Sequence, residues 1–347
     1  MERRNYLKLI GSSLILSQIA NIELSSQTEN TNRRLNKPKK LNKGDKVAII
    51  APSSAVSSPD NIYKAREIIE YFGLVPIFGK NLLNGSGYKT RSKSERIEDI
   101  HWAFSDKSIK AVFCIRGGYG SASLLDLIDF DLIKKNPKIF CGYSDITALH
   151  LGINKYSNLV TFHGPVMLSS FDSLTLESFN KIFFENEMPI YQNPTSKNLR
   201  NNFQTYTINL GEAEGEIIGG NLSILCSLMG TPFEPDLKNK ILFIEDVGEE
   251  PYRIHRMLVQ LHLSGMLKNI AGLIIGKCSD CNKNSGLTWD MSELEVIYDI
   301  VTNYKFPCFY GLMIGHTSSQ FTIPLGIKVR INSSSAVLEL LEKSLVD

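Results

Sequence analysis

Ser144 is the clearest candidate for nucleophilic chemistry, in the stretch Cys141-Gly142-Tyr143-Ser144-Asp145-Ile146-Thr147. The run Pro137-Lys138-Ile139-Phe140 before it reads as the approach of a strand. Ala148-Leu149-His150-Leu151-Gly152-Ile153 after it reads as a helix. A serine between strand and helix holds its hydroxyl out on a tight turn, facing the helix's unpaired first N–H groups and positive dipole end. That arrangement suits a nucleophile with an oxyanion site. Ser-Asp is equally an ordinary helix-capping pair, so the reading depends on a base and an acid elsewhere.

Histidine is the base whose pKa suits serine chemistry near neutral pH, and six compete. His101 and His150 fall inside helical patterns, and His255 and His262 lie on the helix expected after Pro251. His163 ends a strand beside the presumed cleft, where it could line the pocket. His316 sits in the small-residue loop Gly315-His316-Thr317-Ser318-Ser319 beyond an apolar strand, and is the best base by context. Among acids, Glu245 and Asp246 close the apolar run Ile241-Leu242-Phe243-Ile244, an unusual place for carboxylates without a partner. Glu249 and Glu250 precede a helix, where its dipole accounts for them.

These residues need a scaffold, and the pattern supplies an α/β one. Apolar runs at 47–51, 75–78, 110–115, 137–140 and 159–162 alternate with helical spacings, which implies a parallel sheet covered on both faces. Ligands bind at the carboxyl ends of such strands, where Ser54, the turn Arg116-Gly117-Gly118-Tyr119-Gly120, Ser144 and His163 all fall. The glycines there do not match G-x-G-x-x-G, so no dinucleotide site is expected. From about 171 to 205 the alternation lapses into an Asn/Pro/Ser-rich stretch read as a linker. The second half then offers strands at 215–219, 241–244, 271–275 and 307–310, with Phe321–Val329 and Val337–Leu341 as a closing β-pair.

Composition bounds the rest. Of 38 basic and 36 acidic residues, eight bases and three acids lie in the first 40, so the remaining body holds three more acids than bases. That gives no electrostatic case for nucleic acid. No apolar run approaches the roughly 20 residues that span a bilayer. The start, Met1-Glu2-Arg3-Arg4-Asn5-Tyr6-Leu7-Lys8 followed by a short apolar run to Ala20, has the three-part layout of an export signal. Its Arg-Arg-x-aromatic-Leu-Lys order resembles the twin-arginine type, so a periplasmic or exported location is expected, with a cytoplasmic one as the alternative. Residues 21–43 read as a disordered spacer, 44–170 as an amino-terminal domain and 206–347 as a carboxy-terminal one. Cys114, Cys141 and Cys226 read as core residues. Cys278 and Cys281 form a lone C-x-x-C without the second pair a zinc site needs, and whether they pair with each other stays open.

Five motifs in order carry a family resemblance: Arg116-Gly117-Gly118-Tyr119-Gly120, Gly142-Tyr143-Ser144-Asp145, Gly219-Gly220-Asn221-Leu222, Glu245-Asp246 with Pro251-Tyr252-Arg253, and Gly315-His316 with Pro324-Leu325-Gly326. Together, over about residues 44 to 342, the chain resembles the LD-carboxypeptidase family of serine peptidases, which includes microcin C immunity peptidases. The resemblance implies a Rossmann-like parallel-sheet domain followed by a β-rich α/β domain, a cleft between them and frequent homodimers. It implies Ser144 as nucleophile, His316 as base, Glu245 as the acid that orients it, and the N–H groups of Gly118 and Asp145 as oxyanion donors, with no metal or other cofactor. Arg116 is a candidate for the substrate's terminal carboxylate, since bidentate pairing suits arginine, with a purely structural role as the equal alternative. The expected activity is cleavage of terminal D-alanine from peptidoglycan tetrapeptides. The alternatives are an immunity-type peptidase acting on aminoacyl-nucleotide peptides and a periplasmic ligand-binding protein.

Overall fold

The computed structural model describes residues 35–56, 58–83, 92–194, 204–281 and 291–347. The export signal and residues 21–34 of the spacer lie outside the described residues. Contacts divide the chain after Leu35, and the unit from Asn36 to Asp347 holds every element described below. Among the described residues no helix is long and apolar enough to cross a membrane.

The first sheet is built from β1 (Lys46–Ile50), β2 (Val75–Phe78), β3 (Ile109–Cys114), β4 (Ile139–Gly142) and β5 (Thr161–His163), interleaved with α1 (Pro59–Tyr71), α2 (Lys93–Ser105), α3 (Phe130–Lys135) and α4 (Thr147–Ser157). These five strands are parallel in the order 2-1-3-4-5. The strand order therefore reverses direction between β1 and β3, the place where a doubly wound sheet opens a crevice for ligand. After the glycine turn the chain forms a 3₁₀ segment at Ser121–Leu127, entered through Gly120 in the left-handed region.

Residues 171–205 are not featureless. They hold α5 (Ser173–Asn180), a π-turn at Lys181–Glu185 and the short strand β6 (Ile190–Tyr191). Asp172 caps α5 through the Thr175 N–H. The end of the expected spacer is also built in: Asn36 bridges to Leu159, Lys39 to Val346, and Leu41 is buried.

The second sheet contains β7 (Tyr206–Asn209), β8 (Glu212–Asn221), β9 (Ile241–Glu245), β10 (Gly272–Gly276), β11 (Cys308–Leu312), β13 (Lys328–Asn332) and β14 (Val337–Leu340), with β6 at one edge. Strands β8 to β11 are parallel and the outer ones antiparallel. Helices α6 (Leu222–Ser227), α7 (Pro251–Leu263) and α8 (Glu293–Val301) pack on it. The tail differs from the expected closing pair. Only β13 and β14 form it, whereas β12 (Ile323–Leu325) leaves the second sheet and adds antiparallel to β5 in the first. Helix α4 is buried on almost every side, with β8 beside it: the Asn221 N–H donates to Thr147 Oγ1 at 2.9 Å. One continuous apolar core links both sheets through it.

Candidate active site

Strand β4 ends at Gly142, Tyr143 remains extended, and Ser144 adopts φ +66° before a single 3₁₀ turn, Ser144–Ile146, leads into α4. A serine in the left-handed region is strained, and such strain is kept where the surrounding structure imposes it. The imposition is visible at Gly142. Its carbonyl accepts from the Gly164 N–H at 3.2 Å and from His150 Nε2–H at 2.8 Å. Burial drives the pKa of His150 down to about 4, so its ring is neutral with the proton on Nε2. Neither Ser144 nor Asp145 caps a helix with its side chain, so the capping reading of this pair fails.

His316 and Glu245 meet Ser144. Glu245 Oε2 accepts from His316 Nδ1–H at 2.7 Å and from the His316 backbone N–H at 3.2 Å, and His316 Nε2 lies 3.1 Å from Ser144 Oγ. With Nδ1 protonated toward the carboxylate, Nε2 presents a lone pair to the serine hydroxyl. Burial lowers the His316 pKa, but the hydrogen bond and charge of Glu245, with a smaller contribution from Asp246, outweigh it, and the net direction is upward. Glu245 is 0 % exposed at the end of β9. Gly315 has φ +82°, and a Cβ there would strike the Glu245 carboxylate; the Gly-His pair is thus what lets the loop approach the acid.

The loop carrying His316 runs between β11 in one sheet and β12 in the other, and α5 holds it. Ser319 Oγ donates to Asp172 Oδ2, the Gln320 N–H to Thr175 Oγ1 at 3.0 Å, and the Thr322 N–H to Ser178 Oγ at 2.9 Å. Ser144 and His316 open onto a cavity of about 340 Å³ walled by Arg116, Gly118 and Tyr143, with Val166 and Leu168 as its apolar side. Arg116 is half-buried and donates through Nη1 to the Ala55 carbonyl at 3.3 Å. Gly118, at φ +121°, has no room for a Cβ because Ser54 Oγ stands against it. Ser144, His316, Glu245, Arg116, Gly118 and Asp145 therefore lie together around one cavity.

His163 is a correction. It is fully buried, with its ring against Tyr143 and Phe243 rather than on the cavity, and burial holds its pKa well below the usual histidine value. Asp246, paired in sequence with Glu245, turns away from His316. Its Oδ1 accepts from Asn221 Nδ2 at 2.9 Å, and its Oδ2 accepts from the N–H and hydroxyl of Ser223. Asp246 and Asn221 thereby fix the end of β9 to the start of α6, a role that pattern alone did not reveal. His101 accepts from the Asp129 N–H, while His255 and His262 pair with Asp299 and Tyr304 rather than with the Ser144 site. All six cysteines are buried free thiols, Cys278 and Cys281 included.

Comparison with known proteins identifies the family. Residues 47–164 match the LD-carboxypeptidase N-terminal domain and residues 214–331 the LD-carboxypeptidase C-terminal domain. The chain belongs to the LD-carboxypeptidase family, and is a hydrolase. It is 40% identical over 321 residues to a probable murein peptide carboxypeptidase of Bacillus subtilis, covering 87% of this chain and 94% of that one. Among solved structures it resembles the muramoyltetrapeptide carboxypeptidase of Oxalobacter formigenes, with TM-score 0.73 and 28% identity over 85% of this chain and 97% of that one. It also resembles the microcin C7 self-immunity protein MccF of Escherichia coli, solved in complex with glutamyl sulfamoyl guanosine, with TM-score 0.80 and 26% identity over 89% of this chain and 99% of that one.

Proposed function

We propose that the protein is a serine-type LD-carboxypeptidase that releases terminal D-alanine from peptidoglycan tetrapeptides. The observation that carries the reading is the relay from Glu245 through His316 to a strained Ser144, at 2.7 and 3.1 Å, beside a cavity with one arginine on its wall. In this mechanism Ser144 Oγ attacks the carbonyl between the L-centre of the diamino acid and D-alanine, while His316 Nε2 takes the hydroxyl proton. The negative Glu245 stabilises the imidazolium so formed. The N–H groups of Gly118 and Asp145 receive the oxyanion, a contribution whose loss typically costs about 10²–10³ in rate. Collapse breaks the C–N bond, the imidazolium protonates the departing amine, and water activated by the same histidine then hydrolyses the acyl-enzyme. Arg116 pairs with the carboxylate of the leaving D-alanine, and Val166 and Leu168 face its methyl group.

Incubation of the purified protein with a disaccharide-tetrapeptide tests this: D-alanine release by wild type and none by Ser144→Ala is expected. No release by wild type, or undiminished release by the variant, would sink the reading. The likeness to MccF favours a second substrate, an aminoacyl-sulfamoyl nucleotide, which the same assay can include. A passive binding protein is separated by a serine-directed fluorophosphonate, which labels Ser144 only if its hydroxyl is activated. We further propose export through the twin-arginine-like start and a homodimeric state. Cell fractionation of wild type against an Arg3→Lys, Arg4→Lys variant checks the first, and light scattering the second.

A further inference from the structure

Asp145 follows the nucleophile, yet its side chain neither points to substrate nor caps the helix. It is 3 % exposed and collects donors from separate segments of the chain. Oδ2 accepts from Ser53 Oγ at 2.5 Å, just beyond the end of β1, and from the Ser121 N–H at 2.8 Å, and Oδ1 accepts from the Gly120 N–H at 3.2 Å. The Asp145 carbonyl takes Ser121 Oγ at 2.5 Å. Arg96 backs the cluster: its Nη1 bridges the Pro52 and Gly120 carbonyls at 2.9 and 3.0 Å, and the charge of Asp145 counters the effect of burial on the guanidinium.

What this cluster grips is the glycine turn. Residues 117–120 contain two positive-φ glycines and lie outside regular structure, so holding them in one conformation carries a large entropic cost. Ser54 steadies the near end, accepting the Tyr119 N–H at 3.1 Å. Asp145 holds the far end. The turn passes so close to the nucleophile that a Cβ on Gly117 would lie 2.9 Å from Ser144 Cβ. We propose that the Asp145 carboxylate is a positioning residue for the oxyanion site: by clamping residues 120 and 121 to the nucleophile turn, it fixes the Gly118 N–H relative to the Asp145 N–H. This rests on the serine-peptidase reading above.

An ionised carboxylate is acceptor-only, which matches a site where every partner is a donor. Asparagine keeps the shape and turns one acceptor into an NH₂ group. With its oxygen at the Oδ2 position, the NH₂ opposes the Gly120 N–H; reversed, it opposes the Ser121 N–H. Either way the turn is pushed from its seat, and displacement rather than loss of an oxyanion donor should cost part of the typical 10²–10³.

The test uses the full chain, its kcat and KM on the tetrapeptide, and the inhibition constant of a tripeptide aldehyde whose adduct oxygen occupies the oxyanion position. For Asp145→Asn we expect kcat to fall by about 10- to 100-fold with KM within about threefold, and aldehyde affinity to fall by the same factor as kcat. Ser53→Ala should produce a smaller parallel loss, and the double variant should lose no more than Asp145→Asn alone, as expected of one coupled unit. If Asp145→Asn does not fold, Ser53→Ala still carries the comparison. A kcat within threefold of wild type in the folded variants overturns the proposal, as does a loss of kcat with aldehyde affinity unchanged. A fully active Ser144→Ala protein would overturn the peptidase reading itself, a pattern that neither of these variants produces.

Discussion

Replacing Glu245 by glutamine isolates what its charge does for His316. The carboxylate's Oε2 already receives two donors from the same residue, the His316 backbone N–H at 3.2 Å and Nδ1–H at 2.7 Å. A glutamine must therefore place its carbonyl oxygen there, because its NH₂ would oppose the backbone N–H. The tautomer that leaves Nε2 free for Ser144 is retained and only the negative charge is lost. Two unit charges about 4 Å apart at an effective dielectric near 20 attract by about 4 kcal/mol, and in the transition state that attraction acts on a newly formed imidazolium. Its removal corresponds to a fall in kcat of about a thousandfold at 1.36 kcal/mol per decade. Glu245→Ala, which also frees the ring to rotate, should lose more. The pH profile gives a second readout. Catalysis needs neutral His316, so activity falls as pH drops through its pKa, which Glu245 raises above 6.5 against the effect of burial. Without that charge burial dominates, and the acid limb of kcat/KM should move to lower pH. The assay is D-alanine release across about pH 5 to pH 9, the span that brackets a histidine titration. A Glu245→Gln rate within tenfold of wild type, or an acid limb that stays put or moves up, would refute the argument.

Three further outcomes are expected from the same geometry. Gly118→Ala should keep the fold while cutting kcat by about 10²–10³, because a Cβ there drives the turn off Ser54 and takes an oxyanion donor with it; a variant that retains full kcat would remove the Gly118 N–H from the mechanism. Arg116→Ala should raise KM for the free tetrapeptide by about 10- to 100-fold, the worth of a charge-assisted hydrogen bond, and leave the KM of a C-terminally amidated analogue little changed; equal losses on both substrates would count against carboxylate recognition. His150 should make the protein acid-labile. Its folded pKa of about 4 lies below the usual 6.5, so below pH 6.5 the unfolded chain binds a proton that the native state refuses. Stability then falls with pH down to about 4, by up to about 3 kcal/mol from this residue. Urea unfolding at pH 7 and pH 4.5 should show that loss reduced in His150→Gln, and an unreduced loss would assign it elsewhere.

Ser144, His316 and Glu245, the proposed nucleophile, base and acid, stand out in the sequence because each lies just beyond or at the close of an apolar run, and polar residues at strand ends are where α/β folds keep chemistry. The supports are less so, for physical reasons. Asp145 is the residue type that caps helices, and nothing local distinguishes a cap from a carboxylate whose donors come from Ser53 and Ser121, 92 and 24 positions away. Residues 171–185 resemble linker because α5 is short and followed by an Asn/Pro/Ser-rich run; the aromatics that bury Phe179 and Phe183, and the loop its hydroxyl and carboxylate groups hold, come from distant parts of the chain. His163 resembles a cleft residue because a strand end is all that sequence shows; whether the ring faces cavity or core depends on Tyr143 and Phe243, which arrive from other parts of the chain.

Strand β12 is the instructive departure. Its three residues read as the start of a hairpin with the segment after them, since pattern sees only neighbours in sequence. In the fold they are borrowed by the first sheet, pairing Ile323 with His163 and Leu325 with Thr161. That crossing bears on the proposed mechanism. Ser144 stands on the first sheet and Glu245 on the second, so a histidine fixed to either sheet alone would hold one partner and drift from the other. The loop from β11 to β12 leaves the second sheet and enters the first, closed across its base by the Phe321 N–H to the Met313 carbonyl at 2.8 Å and seated by β12 against β5. His316 sits between those two contacts. His316 Nε2 lies 3.1 Å from Ser144 Oγ at the crossing, and proline at 324, which has no N–H to donate, is tolerated because β12 is an edge strand.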